Sequence, residues 1–154
     1  MKKLLFFLFA LPLMLAVTSC SDDDDMPQVY LGVVYNSPVV DGEVYVVKPN
    51  EFKIDSVKVV AAREGHKATN GPVSYYIDGA FIGTNPISPY GVTIPTENML
   101  RNKFRVQMVL PVYEEGCAVA TIASSVVVNV VEDESDIPES TEDASEYRLK
   151  YEFQ

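Results

Sequence analysis

The stretch "VSYYIDGAFIG", Val73 to Gly83, sets two apolar runs on either side of an Asp-Gly pair. In extended backbone, Val73, Tyr75 and Ile77 share one face and Tyr76 takes the other, because strand side chains alternate with a period of two. Asp78-Gly79 is the dipeptide that accepts the positive φ angles of a tight hairpin turn. The stretch therefore reads as two antiparallel strands joined by two residues. The same grammar recurs in "VVDGEV", where Asp41-Gly42 divides apolar residues, and in "YEEGCA", Tyr113 to Ala118. For each Asp-Gly pair, turn chemistry explains the acidic residue at less cost than a metal or catalytic carboxylate does.

Outward from the hairpin, short apolar or alternating runs continue between turn signals, the pattern of a sandwich or barrel. Strands are expected near Val29–Tyr35, Val44–Val47, Phe52–Ala61, Val73–Ile77 and Phe81–Gly83. Others are expected near Tyr90–Ile94, Lys103–Tyr113, Ala118–Val131 and Tyr147–Phe153. In "KFRVQMVL", Phe104, Val106, Met108 and Leu110 share the predicted core face, opposite Arg105 and Gln107. In "VVVNVV", Asn129 marks the solvent side and Val126, Val128 and Val130 point inward. The run from Ala118 is long for one strand, so Ala123 to Ser125 is expected to bulge or bend. No segment holds a helical period; "PTENMLRN", Pro95 to Asn102, suits one short turn.

Charge narrows the function classes. The 154 residues carry a formal net charge of −10. That acidity sits in two flanks, Asp22 to Asp25 and Glu132 onward, around a nearly neutral body. With no basic stripe, nucleic-acid binding is not expected.

"YYIDGAFIGTNPISPYGV", Tyr75 to Val92, resembles the middle of bacterial immunoglobulin-like domains, where a tyrosine-bearing strand enters an Asp-Gly hairpin. A short glycine-containing strand and a proline-rich bend follow in that family. The resemblance spans roughly Glu43 to Val131, with "RNKF" standing where the family often has Gly and His. It implies an all-β, immunoglobulin-like β-sandwich of about seven to nine antiparallel strands. It implies nothing about a ligand, since function is grafted onto folds.

At the N-terminus, Lys2 and Lys3 precede an apolar run from Leu4 to Val17. Fourteen residues are short of the roughly 20 that span a bilayer, so the segment reads as a secretory signal. "VTSC", Val17 to Cys20, resembles the lipobox of bacterial lipoproteins, with Val where Leu is commoner. The resemblance implies acylation of Cys20, with palmitate-type chains anchoring the domain to outer-membrane lipid; each buried CH₂ contributes about 0.8 kcal/mol. The other reading is a secreted protein with Cys20 bonded to Cys117. "SDDDD", Ser21 with Asp22, Asp23, Asp24 and Asp25, resembles the acidic export tract of Bacteroidota-type surface lipoproteins. It implies display on the cell exterior, with retention facing the periplasm as the alternative. A calcium loop does not fit, since consecutive Asp offer neither spaced ligands nor a turn glycine. If Cys20 is acylated, Cys117 is left as a buried inert thiol or a free reactive one.

Catalytic constellations are scarce. His66, the only histidine, lies in the polar loop "REGHKATNG" and reads as a solvated loop residue. One histidine without a cysteine pair cannot build a usual zinc site. No nucleophile elbow and no phosphate-cradling loop are present, and no acidic pair forms a glycosidase motif. The expectation is no enzyme and no cofactor. Tyr76, Phe81, Tyr90 and Tyr113 are the candidate binding surface, aromatic faces suited to a glycan or a protein ligand. The bland alternative has Phe81 and Tyr90 completing the core around the Pro86–Pro89 bend.

The chain ends in "YRLKYEFQ", where Tyr147, Leu149, Tyr151 and Phe153 alternate with polar residues. This pattern calls for pairing with a sheet edge, either in its own sandwich or in a neighbouring chain. The expected organisation is a signal over 1–19, a lipidated acidic tether over 20–28, the sandwich over 29–131, an acidic linker over 132–146 and a strand over 147–154. The function expected is a non-catalytic surface binding or adhesion module. The alternative is an accessory subunit of an outer-membrane uptake or envelope assembly, docked through the C-terminal strand.

Overall fold

A computed structural model describes residues 25–139 together with the backbone of 146–152. In chain order the strands are β1 (Gln28–Tyr35), β2 (Val39–Val40), β3 (Glu43–Val47), β4 (Glu51–Ala61) and β5 (Ala68–Asn70). They continue with β6 (Val73–Ile77), β7 (Ala80–Asn85), β8 (Val92–Pro95), β9 (Lys103–Glu114), β10 (Ala120–Val131) and β11 (Glu146–Glu152). One sheet has the order β11-β1-β4-β8; the other runs β2-β3-β10-β9-β6-β7, with β5 beside β9. Two sheets with inward-facing apolar rows make an immunoglobulin-like sandwich.

Two details depart from the expected seven to nine antiparallel strands. Among the described residues there are eleven, because β2 and β5 hold only two and three residues, too few to show alternation. One pairing is also parallel: β3, in the sheet opposite β1, runs alongside β10, Val44 opposite Val128. Parallel neighbours need a long connection and leave no hairpin signature in the sequence.

Both Asp-Gly turns adopt the expected geometry, with φ of 51° and 78° at Asp41 and Gly42, and 48° and 85° at Asp78 and Gly79. Asp78 also staples its hairpin to β9. Its N–H donates to the Arg105 carbonyl at 2.9 Å, and its carboxylate accepts from the Arg105 N–H at 2.9 Å. Alternation holds throughout β9 and β10. The expected bulge at Ala123–Ser125 is absent: these residues pair in unbroken register with Val109, Met108 and Gln107. A long strand persists here because β9, its partner, is equally long and equally regular. A register shift occurs instead between β6 and β7, where Tyr75 opposes Gly83 but Tyr76 opposes Phe81, leaving Ile82 as the extra residue.

The core contains Tyr35, Phe52 and Phe104 in contact, with ring centroids 6.0 Å and 6.4 Å apart along the chain of contacts. Phe52, Val106 and Leu110 are fully buried. Tyr75 is buried too, and its hydroxyl donates to the Tyr90 carbonyl. Burial pushes the Tyr75 phenol well above its ordinary pKa, so it stays a neutral donor.

The strand directions define two ends. β1 starts and β9 finishes at the near end, where the Asp25 carbonyl accepts from the Ala118 N–H at 3.1 Å. The Asp78-Gly79 hairpin and the start of β9 lie at the far end. Arg105 and Glu114 are nine residues apart on β9, which separates the two ends by about 30 Å. β11 begins at the far end opposite Val34 and runs back along β1 to Gln28.

Candidate functional site

On the outer face of the larger sheet, the register assembles a row that the sequence does not display. Phe81 opposes Tyr76 on β6, Tyr76 opposes Gln107 on β9, and Gln107 opposes Ser125 on β10. Their neighbours in sequence, Tyr75, Val106, Met108, Ser124 and Val126, are buried, so the row faces solvent. Tyr76 and Phe81 form a tilted pair, centroids 5.4 Å apart and planes at 60°. Phe81 is 60% exposed and Ile82 beside it 43%, so these two side chains are no part of the core. The register shift at Ile82 brings Phe81 directly opposite Tyr76, since a bulge re-aims the side chains around it.

Beside this platform, toward the far end, lies a shallow depression of about 590 Å³ lined by Asp78, Arg101, Lys103, Arg105 and Gln107. Three of the body's cations thus fall within five residues. Arg101 pairs with Asp78 at 3.6 Å, and Lys103 with Glu43 at 2.9 Å. The hydrogen bonds from Lys103 and then Asn129 hold the Glu43 carboxyl below its ordinary pKa. The exposed Arg105 side chain has no ion pair among the described residues. A larger depression of about 890 Å³ lies between Asn36, Tyr45, Lys53 and Ile137. There the Asn36 side chain is already committed to the backbone of Glu51 and Lys53, and neither of the exposed rings borders it.

The other aromatic candidates lie elsewhere. Tyr90 packs partly into the core with a left-handed φ of 65°, and its hydroxyl donates to the Asn70 carbonyl at 3.3 Å. That role is structural. Tyr113 is 43% exposed at the near end of β9, roughly 20 Å along the strand from Gln107. Cys20, Ser21, Asp22, Asp23, Asp24 and Phe153 lie outside the described residues. Tyr147, Leu149 and Tyr151 pair in register with Val33, Leu31 and Val29.

The near end carries an ionic knot that reading the sequence missed. Glu114 has no exposed side-chain surface, and Arg63 and His66 converge on it: Arg63 Nε and His66 Nδ1 stand 3.3 Å and 3.2 Å from Oε1. Nε and Oε1 face each other at ion-pair distance without hydrogen-bond alignment. The Gln28 N–H donates to Oε2 at 2.7 Å. Arg63 also reaches the Asp25 carboxylate at 3.2 Å, the Met26 carbonyl at 2.7 Å and Cys117 Sγ at 3.2 Å. Burial opposes the Arg63 charge, yet Glu114, Cys117 and Asp25 together hold its pKa above the ordinary value. Burial, then the Glu114 charge, pushes the Cys117 thiol up, so at neutral pH it is a protonated, weak nucleophile. His66 is therefore tied to a buried carboxylate rather than simply solvated. The missed signal was phase: Phe104, Val106, Met108, Leu110 and Val112 alternate inward, and the next inward position is Glu114.

No three potential metal-ligating side chains come together among the described residues. No family model matches the chain, and no curated protein matches it. Among solved structures, fibronectin(III)-like modules of Clostridium thermocellum CbhA are similar in part, at 18% identity over 64% of this chain and 94% of that one, with a TM-score of 0.37.

Proposed function

We propose that the chain is a non-catalytic binding module, lipid-anchored at Cys20 and displayed on the outer face of an outer membrane. The observation that carries the binding role is the Tyr76–Phe81 pair: a half-buried ring and an exposed one kept in contact on the outer face. Exposed aromatic surface of this kind costs solubility and contributes nothing to the core, which is the mark of a contact surface. The platform stands roughly 25 Å up β9 from the end where Asp25 enters, so an anchor preceding Asp25 leaves it pointing away from the bilayer. The signal, "VTSC" and the aspartate tract support the address.

Protease shaving of intact cells tests the display. The wild type is degraded, and replacing Asp22–Asp25 by Ala protects it; survival of the wild type sinks surface display. Mass spectrometry of the mature N-terminus checks the acyl group on Cys20. For binding, array retention of the wild type on glycans or proteins should be lost in Phe81→Ala and Tyr76→Ala; equal retention by the variants overturns the platform.

A second reading, an accessory subunit docked through the C-terminal strand, is favoured by the topology of β11. It has β1 on one side and no partner strand on the other among the described residues, so its outer backbone edge is open to a neighbour.

A further inference from the structure

The aromatic pair and the cationic depression share one side chain. Gln107 opposes Tyr76 across the β6–β9 pairing and also lines the depression. Arg105 is two residues along the same strand, hence on the same outward face, with Val127 opposite it on β10. A ligand that crosses from Phe81 to β9 and then turns along β9 toward the Asp78 hairpin therefore meets two rings, then an amide, then a guanidinium. Of the three cations here, Arg101 and Lys103 already have carboxylate partners, and Arg105 has none among the described residues.

We infer that this face is a binding site for a carboxylate-bearing saccharide, a uronic acid polymer. Tyr76 and Phe81 take the apolar face of one sugar ring, Gln107 hydrogen-bonds hydroxyls, and Arg105 clamps the carboxylate. A planar guanidinium matches a carboxylate with two parallel hydrogen bonds. The inference rests on the binding-module reading and adds the ligand's chemistry to it.

Two observations favour a sugar over an acidic polypeptide. An extended peptide would add to the edge of β7, which has no second partner strand among the described residues, but the extra residue Ile82 interrupts that edge. The rings also stand beside the cationic depression rather than inside it, as stacking and charge recognition by successive sugar units require. A phosphate polymer fits poorly, because Asp78 and Glu43 offset two of the three cations within the same few residues.

Isothermal titration of the full chain in detergent tests this with three probes: polygalacturonate, neutral galactan and polyglutamate. Polygalacturonate is expected to bind best, and its affinity should fall as NaCl rises. Arg105→Gln should weaken it about tenfold or more, with Arg105→Lys intermediate because charge survives and the fork does not. Phe81→Ala should weaken it comparably. Both side chains are exposed, and unchanged circular dichroism verifies the fold of each variant. Galactan binding equal to polygalacturonate, indifferent to Arg105→Gln but lost in Phe81→Ala, overturns the acidic specificity and leaves the binding module standing. Tighter binding of polyglutamate, indifferent to Phe81→Ala, overturns the saccharide in favour of an acidic polypeptide. No heat with any probe overturns the inference, while array retention lost in Phe81→Ala still decides the module separately.

Discussion

The Arg63 guanidinium spans the Glu114 carboxylate, Nε 3.3 Å from Oε1 and Nη2 3.4 Å from Oε2. Glu114 is inaccessible to solvent, whereas Arg63 keeps about a quarter of its surface. Removing one partner of such a pair strands the other. Glu114→Gln should cost toward the low end of about 3–5 kcal/mol in urea unfolding, since the guanidinium can still reach water. Arg63→Met should destabilise as well. The double variant should recover part of the loss, and strictly additive losses would show that the two groups are not coupled.

Cys117 reports on the same knot. Burial and the Glu114 charge raise its pKa, so less thiolate is present at any given pH. Maleimide labelling of the folded chain should be slower than labelling of a small free thiol at pH 7.5. Its rate should rise to a midpoint above the ordinary thiol value. Glu114→Gln removes one raising cause and should move that midpoint down.

Two phenylalanines separate stability from recognition. Phe52 is fully buried between Tyr35 and Phe104, and Phe52→Ala should cost about 3–5 kcal/mol. Phe81 is 60% exposed, and Phe81→Ala should stay within about 0.5 kcal/mol of wild type. Denaturant midpoints distinguish them, and a large loss at Phe81 would make it structural.

Deleting Tyr147–Gln154 strips from β1 all of β11 but Glu146, its first residue. The truncated chain should melt at lower temperature and self-associate as the β1 edge opens. An unchanged melting temperature, combined with loss of a larger complex, would assign β11 to a partner instead.

The fold was legible wherever alternation ran long. β9 and β10 could be phased from Phe104, Met108 and Val128 alone, because burial on one face forces a period of two. The Asp-Gly turns were legible because few residues accept positive φ. Long-range choices were not. Nothing local tells β3 to lie parallel to β10, and Gly83, beside the extra residue Ile82 with a φ of 156°, hints at an irregularity without saying which ring it sets opposite Tyr76. The candidate site depends on that shift, so Tyr76 and Phe81 were readable as exposed aromatics but not as a pair. Glu114 was overlooked because it continues an apolar phase with a carboxylate, and a charged residue on the inward phase becomes sensible only once Arg63 is seen beside it.

β1 is hydrogen-bonded on both flanks, to β4 and to β11, and its axis runs from Asp25 toward the far end. Tension between a membrane anchor and a ligand held at the Asp78 hairpin would load β1 lengthwise. Two ladders of perpendicular hydrogen bonds would then resist in shear and share the load, instead of opening one bond at a time like a zipper. A sandwich threaded in this way would suit the anchored module proposed above, whose anchor and ligand would pull from opposite ends.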